Sequence, residues 1–197
     1  SAPSVDAAVM ANEVQRSEGL PLPALEGYAL LLASIAVMHR LGRADIERAR
    51  LMLEHLVDRD RRHPSAYAWL AHSHVLGVLQ GWRRPQEELG VAHAYIQSGL
   101  QCDPQAPVVL SMAGHVALHL ARDLRGAGEF FRQAAESRPH DALPRLLQAE
   151  LHAWRGSGQQ ARDACAAARR LVPPQALRYW HDATQALCDW VDGALPE

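Results

Sequence analysis

Gly126-Ala-Gly-Glu-Phe-Phe-Arg-Gln-Ala-Ala-Glu-Ser-Arg-Pro139 places a small residue, a larger apolar one, a second small one and a helix-stopping Pro at positions 127, 131, 134 and 139. The same slots return 34 residues later as Ala161, Cys165, Ala168 and Pro173. Going back by 35 they read Ala92, Ile96, Gly99 and Pro104, and in weaker form Ala49, Leu53, Leu56 and Arg61. Self-similarity at this period marks stacked helix–turn–helix units. A second spacing of 22 fixes the phase, pairing Ala49 with Ala71, Ala92 with Gly114, Ala127 with Ala149 and Ala161 with Ala183. Small residues at both sites let two helices approach to about 8 Å.

The fold these spacings predict is all-α, a right-handed α-α superhelix of antiparallel helix pairs with a capping helix. Residues 4–18 carry a helical apolar pattern that ends at Gly19, Pro21 and Pro23, so residues 1–23 are expected to be a leading helix and a Pro-rich break. The repeat domain then covers 24–197, with about four helix pairs. Its predicted helices run over Pro23 to Arg40, Ala44 to Val57, Pro64 to Leu79 and Gln86 to Gln101. They continue over 106–121, 125–137, 141–155 and 158–171, and a last helix covers Gln175 to Val191. Between Ala71 and Ala92 one repeat is about eight residues longer than its neighbours, which means either longer helices or a loop at the edge of the array.

Composition limits what such an array does. The 197 residues are 48% hydrophobic and carry a net charge of −2, so no global basic field exists to hold a phosphate backbone. All 20 basic residues are Arg, which reads as codon bias of a GC-rich, bacterial genome. Three cysteines form no CxxC and leave an odd one out, so a reduced, cytoplasmic setting is expected. The longest apolar stretch, Tyr28 to Met38, is too short to span a bilayer, and no membrane contact is expected. The chain starts at Ser1 without an initiator Met, which suggests a piece of a longer protein.

The stretch Val109-Leu-Ser-Met-Ala-Gly-His-Val-Ala-Leu-His-Leu-Ala121, followed by Gly126 to Ala134 and Pro139, resembles the tetratricopeptide repeat family. The family's first-helix aromatic is present as Trp69 but replaced by Ser111 and Arg145 elsewhere, and its turn Gly survives as Gly156. More narrowly, Asp45 to Arg50, Ser65 to Ala71 and Ala113-Gly-His115 look like the repeat regions beside winged-helix or cyclase domains in bacterial signalling proteins. The resemblance implies a non-catalytic module that binds a peptide or partner protein in its concave groove, without a cofactor.

In that family the first helices line the concave face, so residues next to each small crossing residue should point into the groove. This gives His72, His115, Glu150 and Thr184, with Ala68, Ser111, Leu146 and Trp180 a turn before and Leu76, His119 and Trp154 a turn beyond. The expected channel has histidines at one end, Glu150 as its acid and Trp154, Leu146 and Trp180 as apolar anchors.

Two other classes compete with a peptide groove. His115 and His119 share a helix face at a spacing compatible with two zinc ligands, and Glu150 is a conceivable third. No H-E-x-x-H accompanies them, and the chain is expected to hold no metal. A small-ligand or metal-sensing groove is the alternative, and self-association through the turn around Trp82 is another. Catalysis is not expected: Ser111 near His115 lacks a nucleophile elbow, and Gly126-Ala-Gly128 lacks the Lys and preceding strand of a phosphate loop.

Overall fold

The structure, a computed structural model, describes residues 22–171, 178–191 and 193. The expected leading helix at 4–18 lies outside the described residues. The helices are α1 (Leu22–Met38), α2 (Arg43–Arg59), α3 (Pro64–Leu79), α4 (Pro85–Cys102), α5 (Pro107–Val116), α6 (Leu124–Ser137), α7 (Ala142–Trp154), α8 (Gly158–Leu171) and α9 (Arg178–Val191). They stack as antiparallel pairs in a right-handed superhelix, and no strand occurs among the described residues.

Local chemistry explains the boundaries. Pro64, Pro85 and Pro107 each open a helix, where the missing N–H costs nothing. Asp123 caps α6 by accepting from the backbone N–H groups of Arg125 and Gly126 at 3.1 and 2.8 Å, and Asp141 caps α7 through Leu143 N–H at 3.0 Å. The turns after α3 and α7 close on Gly81 and Gly156, both at φ 72°, a left-handed conformation that a Cβ disfavours.

Packing follows the repeat slots. Ala49, Ala92, Ala127 and Ala161 are fully buried, as are Leu53, Phe131, Ala134 and Ala168. At the crossing of α5 and α6 a Cβ on Gly114 would sit 2.3 Å from the Phe131 ring, so only Gly fits there. Ala183 departs from the pattern and lies exposed, since among the described residues no second helix follows α9 to cross it. The extra length in the second repeat is mostly helix: α4 has 18 residues against 14 in α6 and α8, and the turn is only Gln80 to Arg84.

One element has no counterpart in the periodicity. After Val116 the helix widens into a π-turn, Ala117–Ala121, and stops at Arg122 with φ 58°. The Arg122 and Asp123 N–H groups both turn back to the Ala117 carbonyl. The π-turn carries His119 and Leu120, both buried, and widening of this kind is frequent at functional sites. No helix among the described residues is long and apolar enough to cross a membrane.

Candidate functional site

The first helices of successive repeats turn a continuous aromatic and imidazole face toward one another. From α3 comes His72, from α5 and the π-turn that extends it come His115 and His119 one turn apart, from α7 comes Glu150, and from α9 comes Trp180. His72 and His115 meet through their Nδ1 atoms at 3.3 Å, so one ring donates to the other. His119 Nε2–H donates to Glu150 Oε1 at 2.8 Å, while His115 Nε2 lies 3.4 Å from Glu150 Oε2. One carboxylate is thus shared between two imidazoles held at i and i+4 along one helical run.

Trp180 lies against both His72 and His115, with ring centroids 5.2 Å away in each case. Beside it Tyr179 meets His39 at 6.0 Å, and His39 is in edge contact with Trp69. At the other end His119 meets Trp154 edge-on at 6.0 Å. A ring-to-ring chain therefore runs through the molecule from the end of α1 to the end of α7.

Burial sets the charge states. Loss of water pushes the His72 imidazole well below its ordinary 6.5, and nearby His115 adds to that, so it is neutral. His115 is shifted the same way by burial and by His119, partly offset by Glu150. Burial pushes the Glu150 carboxyl up, but His115 and His119 outweigh it and hold the group well below the usual carboxylate range. Burial, then the negative charge of Glu150, raises the Tyr179 hydroxyl to about 12.

Of the expected groove residues, His72, His115, His119, Glu150 and Trp180 come together here. Ala68, Leu76 and Leu146 are fully buried core, and Ser111 is buried with a hydroxyl that makes no hydrogen bond. Thr184 Oγ1 donates to the Trp180 carbonyl at 2.7 Å. Trp154 alone of the set is well exposed, at 42%. Trp180, itself 3% exposed, lies against the His72 and His115 rings, so a partner reaching those two from that side has to displace α9.

Two features escaped sequence reasoning. The first is a rim pocket of about 330 Å³ lined by Val78, Leu79, Leu118, His119, Arg122, Leu124 and Trp154. It joins the end of α3, the π-turn and the end of α7, and only Trp154 and His119 were legible as a pair. The second is a polar clamp on the second repeat's turn. Arg83 donates to Glu88 at 3.1 Å and to Glu47 of α2 at 2.7 Å, and Glu88 accepts from buried His74. The sequence shows the extra length of this repeat, but nothing in it points to the partners of Arg83. Trp82, expected to be exposed, is partly buried and packs against the core.

A crystal structure of TTC0263, a thermophilic tetratricopeptide protein of Thermus thermophilus, superposes with a TM-score of 0.66 at 20% identity, covering 81% of each chain. The fold is tetratricopeptide-like. A MamA structure (MSR-1) aligns with a TM-score of 0.45 at 16% identity over 85% of this chain and 91% of its own. No family model and no curated protein matches the sequence.

Proposed function

We propose that this chain is a non-catalytic protein-interaction module whose partner docks at the rim pocket beside Trp154. The observation that carries this is a clustering of exposed apolar side chains. Among the described residues six large hydrophobic side chains are exposed, and three of them, Leu79, Leu124 and Trp154, line this one pocket. Apolar surface gathered in a concavity is what a partner side chain covers. Arg122 and His119 on the same wall suit a carboxylate or phosphoryl group next to that anchor.

The tetratricopeptide-like fold supports a binding role. The stretches around Asp45, Ser65 and Ala113 support placing the module in a larger bacterial signalling or transcription-regulating protein. Selection of random peptides on the immobilised chain tests the docking site. Peptides with an aromatic or aliphatic anchor next to an acidic residue are expected, and Trp154→Ala should weaken them about 30-fold. Equal affinity for the parent and a folded Trp154→Ala variant would move the site elsewhere.

A further inference from the structure

The buried His–Glu cluster is more than a polar patch in a core, and its charged centre at Glu150 lies outside the lining of the partner pocket. Nitrogen atoms of His115 and His119 and a carboxylate oxygen of Glu150 all lie within 4.8 Å of one another. In a tetrahedral zinc site with metal–nitrogen bonds of about 2.0–2.1 Å, neighbouring donor atoms stand about 3.3 Å apart. His115 Nε2 stands 3.4 Å from Glu150 Oε2, close to that spacing, and His119 Nε2 stands 2.8 Å from the other oxygen, Oε1, so the ion would take both oxygens, or one of them once the carboxylate turns and the His119 bond opens by about half an ångström. We infer that His115, His119 and Glu150 form a binding site for one divalent first-row transition metal ion, zinc foremost.

Three further features fit. Two imidazoles and a carboxylate form a donor set that zinc accepts, unlike the all-oxygen shells of calcium or magnesium. With the ion on Nε2 of His115, that ring carries its proton on Nδ1, and Nδ1 is 3.3 Å from His72 Nδ1. His72 then accepts a hydrogen bond that fixes the ligand's tautomer and orientation, the role an outer partner plays at most histidine-bound metals. Trp180 covers the His115 ring on one side and excludes water, while His119 also lines the 330 Å³ pocket, which gives an ion and its water a path to the cluster. The ion would tie α5 to α7, two first helices of adjacent repeats.

Titration of the metal-free chain with Zn2+ by calorimetry, and with Co2+ by visible absorption, tests this at neutral pH. One equivalent per chain, a Co2+ spectrum of low-symmetry coordination and a melting temperature raised by Zn2+ and restored by a chelator are the expected results. Saturable binding should vanish in His119→Asn and Glu150→Gln, each verified as helical by circular dichroism. His72→Gln should weaken it on the order of 10–100-fold. His93→Asn, on the exposed face of α4, should leave it unchanged. Absence of one-equivalent binding in the parent, its survival in a folded Glu150→Gln chain, or its loss in His93→Asn would each overturn the assignment. If His119→Asn does not fold, the isosteric Glu150→Gln decides.

Discussion

His72 shows how far one residue's surroundings decide its behaviour. It has no exposed surface, its Nε2 has no hydrogen-bond partner, and it faces Trp69, His115, His119, Glu150 and Trp180, with His39 nearby. Unfolding returns it to water, where its pKa is the ordinary 6.5, so the unfolded chain binds a proton that the folded one refuses. The stability tied to His72 and His115 is therefore intact above pH about 6.5 and is lost as pH falls below it, by at most about 1.4 kcal/mol per pH unit for each group. Glu150 acts in the same direction at lower pH. Its depressed pKa gives stability that is present above its ordinary 4.5 and lost as pH falls toward its folded value. Urea midpoints should thus be flat near pH 7 to 8 and fall steadily on acidification. His72→Gln, which carries no titrating proton, should flatten the portion of that slope just below pH 6.5. An unchanged slope in the variant would mean that other histidines, such as buried His181, dominate it.

At the scale of elements, the most informative piece is the turn between α3 and α4, held by one guanidinium. Arg83 packs its chain against Gly77, where an added Cβ would stand 3.2 Å from Arg83 Cδ, and its head joins Glu88 of α4 to Glu47 of α2. The Glu47 arm is about one-third exposed and contributes little, whereas Glu88 is almost buried and would lose a charged partner. Arg83→Ala should cost about 1–3 kcal/mol in denaturant unfolding and raise amide exchange over residues 80–84. A cost below about 0.5 kcal/mol would mean that His74 alone satisfies Glu88. The same turn shows what sequence can carry. The slots at 127, 131 and 134 and their repeats set every helix pair, because close crossings demand small residues and buried ridges demand large ones at fixed spacing. The clamp was not legible, since it joins residues 36 apart whose charges follow no period. The π-turn was not legible either: Ala117–Ala121 has the composition of an ordinary helix, and no residue in it marks the bulge. His72, His115 and Glu150 were placed on one face by their step from each crossing residue, but the phase says nothing of whether that face is open.

Whether it is open is decided by the whole molecule. In a simple solenoid each repeat touches only its neighbours, so stability is a sum of local terms and the ends fray. Here α9 reaches back across the concave side: Tyr179 meets His39, which follows α1, while Trp180 meets His72 of α3 and His115 of α5. The last helix thus meets His72 of α3 and His39, each more than 100 residues before it, and the array is expected to unfold as one unit only while that closure holds. Trp180 is its centre, at 3% exposure and against two imidazoles. Trp180→Ala removes that ring from a packed interior, and about 3–5 kcal/mol of stability should go with it. The larger consequence is loss of cooperativity. The parent should give one transition, with fluorescence and circular dichroism coincident, and a denaturant m-value fitting the whole helical array. The variant should separate the two probes and lower the apparent m-value, with the repeats near α1 and α2 losing amide protection before α5 to α8. A single transition in Trp180→Ala with an unchanged m-value would show that neighbour contacts suffice. In that case the concave face would be a cleft that α9 covers without binding the repeats into one unit, and a partner could take its place at modest cost.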